Sequence, residues 1–356
     1  MIIKSDEKIV KRIRELMMVN DENIAISNLL YSLYVDVLPN AYEQIKENIS
    51  QGMDETDALL KFINECLEIS DDEEAKEFIK KRIFKDVNKL NVDDFINNPY
   101  YISIKKEGKF KDCSLKTLSY KPYQLFPLDD LYIKDYYEHQ PVGYFIKEFH
   151  YLALLKNQDI WMSLNPNEIT TMKPYINKAS GNVLILGLGM GYVAYMMAMK
   201  KEVKKITIIE KDINVINIFN NLIWPSFINK EKIQIISDDA IKYTKNNQKK
   251  YDYIFADLWH SPEDGLSLFI DLKKINRNID CWLETSMYAL LRRCMITLLF
   301  ETTQNYKESN YLKAKNDTDK VINQYYFKTK KVSINEVGDL DVLLDSNRLL
   351  DLLINN

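Results

Sequence analysis

VLILGLGMGY, residues 183–192, reads as a buried strand running into a glycine turn and then a helix. Val183 to Leu186 form a continuous apolar run, the pattern of a parallel strand covered on both faces. Gly187-Leu188-Gly189-Met190-Gly191 follows with no spacer. A turn this tight needs positive φ values, which glycine permits. The missing side chains let a ligand approach the backbone, and the start of the next helix offers unpaired N–H groups. Alone, the turn can also be read as simply a tight strand-to-helix connection. Its surroundings decide between the two.

Downstream, the period is strand, helix, strand, helix. KITIIE (205–210), KIQIIS (232–237) and YDYIFAD (251–257) read as strands, and CWLE (281–284) as a fifth. Helices are expected over about 191–200, 212–222, 239–247, 263–276 and 286–304. This alternation predicts an α/β fold, a Rossmann-like doubly wound parallel sheet with helices on both faces. Ligands of such sheets bind outside the carboxyl ends of the strands. Glu210 ends the second strand, Asp238-Asp239-Ala240 follows the third, and Asp257 ends the fourth. A carboxylate at 210 can accept two ribose hydroxyls. The Asp239 side chain and the Ala240 amide can read an adenine edge. Gly187, Gly189, Gly191, Glu210, Asp239 and Ala240 are therefore the candidate cofactor-binding residues. The bland alternative is that the acids at strand ends only cap helices. A dinucleotide pattern, G-x-G-x-x-G, fits less well, because the third glycine comes one residue early and Tyr192 stands where that pattern wants Gly or Ala. No Walker G-K-[ST] occurs.

Upstream, residues 1–97 read as a helical domain, with apolar spacing at Ile9, Ile13, Leu16 and Met17 and further helices near 22–48, 54–68 and 72–89. Pro39 is expected to kink or divide the second of these. Asp54 or Thr56, and Ser70, are the expected caps. Residues 98–165 form a small β-rich region, with YYISI (100–104), VGYFIKEF (142–149), HYLALL (150–155) and IWMSL (160–164) as short strands and a turn at Asn157-Gln158-Asp159. A helix follows from Asn165 to about Lys178. Residues 166–304 make the ligand-binding domain and 305–356 a C-terminal extension.

The 356 residues carry a net charge of -4, with 28% charged residues. No overall basic excess points to nucleic acid. Four cysteines without C-x-x-C spacing and three histidines argue against a metal cage or disulfide framework and fit a reducing cytoplasm. No metal and no membrane span are expected, since the 183–199 run is short and broken by glycine. The amphipathic N-terminal stripes leave a homodimer through those helices open.

Asp257 is the candidate catalytic base, or a carboxylate that positions a cationic amine. His260, the one histidine nearby, is a second candidate base, against the reading of a solvent-exposed turn residue. Trp259 and Tyr192 are candidate substrate-binding residues, each also readable as packing. Glu168 could reach the pocket mouth, but a charge at a helix start is the simpler reading.

At these residues the sequence resembles class I S-adenosylmethionine-dependent methyltransferases, and within them the spermidine-synthase-like branch. The resemblance spans roughly residues 140–285. VLILGLGMGY matches the first motif, Glu210-Lys211-Asp212 the second, SDDA (237–240) the third and YDYIFADLWHSP (251–262) the fourth. It implies that the three glycines flank the methionine and ribose part, that Glu210 binds ribose hydroxyls, and that Asp239 binds the adenine amino group. Ile185 stands where many methyltransferases carry an acid. Met190 stands where spermidine synthases have an aspartate in the glycine loop. DLWHSP replaces their D-S-x-D-P, and IWMSLNPNEITTM lacks their glutamine and Tyr-His-Glu-like stretch. On these departures the expected function is a methyltransferase using S-adenosylmethionine on a small molecule or peptide. The second reading is an aminopropyltransferase using decarboxylated S-adenosylmethionine. The third is a non-catalytic ligand-binding or assembly protein.

Overall fold

The computed structural model describes residues 1–35, 41–304 and 314–355. Its centre is a five-stranded parallel sheet. The strands are β4 (Gly181–Leu186), β5 (Val203–Glu210), β6 (Ile233–Ser237), β7 (Tyr253–Ala256) and β8 (Asp280–Cys281), in the spatial order β6-β5-β4-β7-β8. The chain winds outward from β4 in one direction, then returns to its other side. The order therefore reverses between β4 and β7, where such sheets open a crevice. Helices α7 (Tyr192–Ala198), α8 (Ala240–Asn246) and α9 (Pro262–Ile275) alternate with the strands, and α10 (Glu284–Thr303) follows β8. This is the class I methyltransferase-like, Rossmann-like architecture that the alternation predicts.

Register brings the strand ends level. Leu186 is opposite both Ile209 and Ala256, and Glu210 is opposite Ser237. The residues at that edge, Gly187, Glu210, Asp238 and Asp257, thus emerge side by side. Val183, Leu184, Leu186, Ile206, Ile208, Phe255 and Ala256 are fully buried, so the sheet is covered on both faces.

In front of this sheet stands an antiparallel one built from β1 (Cys113–Tyr120), β2 (Phe149–Lys156) and β3 (Asp159–Leu164), with Gly108–Phe110 at its edge. The β2–β3 hairpin turns at Asn157 and Gln158, both with positive φ. It leads into α6 (Pro166–Lys178), whose cap is Asn165. Residues 100–103, expected as a strand, are instead helix α5 (Pro99–Ser103). Asn98 caps it and Pro99 occupies its first turn, so local start signals win over the β-prone Tyr and Ile.

The N-terminal segment differs from its expected division. A single helix, α1 (Glu7–Val35), replaces the two expected there, and the Pro39 kink lies outside the described residues. Helices α2 (Ala41–Ser50), α3 (Glu55–Cys66) and α4 (Glu73–Arg82) follow. Asp54 caps α3, whereas Asp72 and not Ser70 caps α4. The helix expected to reach 89 stops at Arg82. Val87–Leu90 is a strand paired in parallel with Val142–Phe145, a long-range pairing that periodicity cannot reveal. Ile9, Ile13 and Leu16 of α1 join the core of the parallel sheet. Ile26, Leu30 and Leu33 join a second core with α2, α3 and Tyr144. These apolar residues of α1 thus pack within the chain. At the other end, α11 (Asp317–Lys328) and α12 (Ser346–Ile354) pack on α10. Among the described residues, no helix is long and apolar enough to cross a membrane.

Candidate active site

The glycine loop is built by close approach. A Cβ at Gly187 would lie 1.9 Å from the Asp257 carbonyl oxygen, so only glycine lets β4 and β7 exit this close together. Gly187, Gly189 and Gly191 have φ of +99, +51 and +76. A Cβ at Gly191 would strike Phe219 and Phe227, whereas Gly189 faces open space. The Gly191 N–H donates to Leu188 O at 2.9 Å, closing the turn. Among the described residues, the N–H groups of Gly189 and Met190 have no protein acceptor.

Glu210 reaches back to this loop. Its carboxylate accepts the Leu188 N–H at 3.2 Å and the Asp212 N–H at 2.8 Å. The loop and the acid therefore converge, with lone pairs of the carboxylate left over for a ligand. Asp239 caps α8, accepting the Lys242 N–H at 2.8 Å through Oδ1. One of its oxygens is thus committed to the cap and the other is free. The capping reading holds for Asp239 and for Asp212, but not for Glu210 or Asp257.

A cavity of about 420 Å³ opens between the parallel sheet and the β2–β3 hairpin. Gly187, Gly189, Gly191, Glu210, Asp239, Ala240, Asp257, Trp259, Tyr192 and His260 all line it. They do not stand alike. The His260 side chain is 76% exposed and lies 3.3 Å from Asp264, so it belongs to the mouth. Trp259 is only 5% exposed and packs against Gly265 and Met287, so most of its ring is core. Tyr192 is buried, accepts a hydrogen bond from Asn98 at 3.1 Å, and has its hydroxyl pushed up to about 12 by burial first. It stays a neutral hydroxyl at physiological pH.

Glu168 also lines the cavity, where the sequence favoured a helix-start charge over a reach to the pocket mouth. Asn165 accepts the Glu168 N–H at 3.1 Å and Pro166 opens the helix, which fixes Glu168 in the first turn of α6. The side chain points inward toward Asp257. Burial raises both carboxyls well above the ordinary carboxylate range, and repulsion from Asp257 raises Glu168 further. Both keep some accessible surface, but it opens onto the cavity rather than onto bulk water. The lining bears four acids, Glu168, Glu210, Asp239 and Asp257, against one lysine, Lys211, and the histidine at the mouth. The Asn-Pro-Asn-Glu start was visible in the sequence, but the inward direction of its glutamate is set by the hairpin packed beside it.

Residues 167–273 match the spermine/spermidine synthase domain. Polyamine aminopropyltransferases from the Tuc7, 5A and APS strains of Buchnera aphidicola subsp. Acyrthosiphon pisum are 29% identical over 108 residues. That overlap is 29% of this chain and spans 37% of the length of those relatives. A solved spermidine synthase from Thermotoga maritima overlaps 50% of this chain and 53% of its own, at 11% identity and a TM-score of 0.29. These matches overturn the expectation of a methyltransferase using S-adenosylmethionine on a small molecule or peptide. The family and relatives they point to are spermine/spermidine synthases and aminopropyltransferases. Residues 167–273 thus match the spermine/spermidine synthase domain, and they lie on a Rossmann-like parallel sheet of the class I methyltransferase-like kind.

Proposed function

We propose that this chain transfers an aminopropyl group from decarboxylated S-adenosylmethionine to a small amine acceptor. The observation that carries this reading is the buried pair of Glu168 and Asp257 in a cavity whose charged lining is mostly acidic. Two like carboxylates in a low-dielectric site repel each other and hold protons, and a cation between them relieves both costs. A cationic amine suits that position, and a ligand carboxylate does not.

The residues fit an adenosyl sulfonium. Glu210 would accept the ribose hydroxyls, and Asp239 with the Ala240 amide would face the adenine. The free Gly189 and Met190 amides would lie along the sugar and thioether part. Bound there, decarboxylated S-adenosylmethionine supplies a propyl carbon whose leaving group is a neutral thioether. Asp257 would orient the acceptor amine and take its proton, freeing the nitrogen lone pair. A carboxyl raised toward neutrality is a better base for this than an ordinary one. The nitrogen forms the new C–N bond as the C–S bond breaks, the electron pair leaves with sulfur, and the proton stays on the carboxylate pair. Glu168 would hold the acceptor's charge, and the hairpin would limit water.

The test is product analysis. The full chain, decarboxylated S-adenosylmethionine and 1,4-diaminobutane should give 5'-methylthioadenosine and an N-aminopropylated amine in equal amounts by mass spectrometry. Release of neither, with diamines and longer polyamines alike, contradicts the proposal.

A further inference from the structure

The glycine loop is gripped from two sides. Glu210 holds Leu188, as described. On the far side, the Tyr100 hydroxyl donates to the Met190 carbonyl at 2.5 Å. Tyr100 lies in α5, outside the matched residues 167–273. Its ring is fully buried and meets Tyr192, Tyr195 and Phe227 edge-on. The Met190–Gly191 peptide is therefore fixed at both ends, its carbonyl by Tyr100 and its N–H by Leu188 O. A peptide pinned in this way cannot flip its carbonyl toward the cavity, and the Met190 N–H keeps its place beside the ligand space.

The same turn of chain holds the next residue of the site. Asn98 accepts the Tyr100 N–H at 3.0 Å through its side-chain oxygen, which leaves its NH₂ to donate to the Tyr192 hydroxyl at 3.1 Å. Because that hydroxyl accepts from Asn98, its own proton is free for another partner in the cavity.

We infer that Tyr100 is a positioning residue for the nucleoside ligand. By fixing the loop from outside the transferase domain, it tunes ligand affinity without touching the ligand. This rests on the reading that the cavity binds an adenosyl sulfonium.

The experiment compares wild type, Tyr100→Phe and Tyr195→Phe in the full chain. Tyr195 is a second buried tyrosine of the same cluster, but its hydroxyl bonds to Ser103 and not to the loop. Calorimetric titration uses decarboxylated S-adenosylmethionine and 5'-methylthioadenosine, and turnover uses 1,4-diaminobutane. Tyr100→Phe should weaken both nucleosides roughly tenfold, the effect of leaving one buried carbonyl unpaired. Its KM for the nucleoside should rise while kcat stays within about twofold. Tyr195→Phe should leave affinity within about twofold. Equal affinity in wild type and Tyr100→Phe, or equal losses in both variants, overturns the inference alone. A folded wild type that binds neither nucleoside overturns the proposed function and this inference with it.

Discussion

Glu168 in the first turn of α6 and Asp257 at the end of β7 face one cavity and repel each other. The two elements are far apart in sequence and meet at one cavity. In the proposed function the pair would favour positive charge in the cavity, and substitutions separate what each member does. Asp257→Asn keeps the shape and removes the base. Turnover should fall roughly 10²–10⁴-fold, the usual span for a lost general base. Affinity for 5'-methylthioadenosine, measured by calorimetry, should stay within about threefold. Glu168→Gln should act mainly on the acceptor, raising its KM about tenfold with a smaller change in kcat.

Stability should also report the pair. A carboxyl whose folded-state pKa is raised favours folding only while it is protonated. Below the unfolded pKa, near 4, both states hold the proton and nothing is lost. As pH rises, the unfolded chain ionises first, so the folded state loses stability until its own carboxyls ionise. The slope is at most about 1.4 kcal/mol per pH unit for each proton. The ligand-free protein should therefore lose melting temperature from about pH 5 toward neutrality more steeply than Glu168→Gln does. Equal slopes in a pH series of thermal melts would remove the proposed repulsion.

Glu210 joins ligand binding to loop structure through Leu188 and Asp212. Glu210→Ala should cost about 1.5–3 kcal/mol of nucleoside affinity, the range of charge-assisted hydrogen bonds. Titration of wild type and variant with 5'-methylthioadenosine reads this directly, and unchanged affinity would remove Glu210 from the site.

The glycines should divide into two kinds. Gly187→Ala sets a Cβ 1.9 Å from the Asp257 carbonyl oxygen, so the strands must separate. A loss of about 3 kcal/mol or more in stability is expected, read by denaturant unfolding. Gly189→Ala meets no atom within 4 Å, so only its left-handed φ is penalised, by about 1–2 kcal/mol. Its methyl would stand in the ligand's space, and nucleoside affinity should fall more than stability does.

The parallel sheet was legible because its strands are continuous apolar runs, each ending in a glycine or an acid. Val183–Leu186, Ile206–Glu210 and Tyr253–Asp257 carry both signals, and register then aligns their ends. The glycine loop beside Glu210 followed from the same logic. The Glu168 orientation, the α5 helix and the parallel strand at 87–90 were not legible. The strand at 87–90 depends on a distant partner, Val142–Phe145, and the Glu168 direction on the hairpin beside it, whereas α5 carries local start signals, Asn98 and Pro99, that the β-prone Tyr and Ile masked. Periodicity reports which residues are buried, not which residues they meet.

The most direct measurement is paired calorimetry of the full chain with S-adenosylmethionine and its decarboxylated form. The two ligands share adenosine, sulfonium and propyl chain, and differ by one carboxylate. An acidic cavity holding Glu168 and Asp257 predicts tighter binding of the decarboxylated ligand, by tenfold or more, and loss of that preference in the Glu168→Gln, Asp257→Asn double variant. Equal affinities, or tighter binding of S-adenosylmethionine itself, would contradict the account.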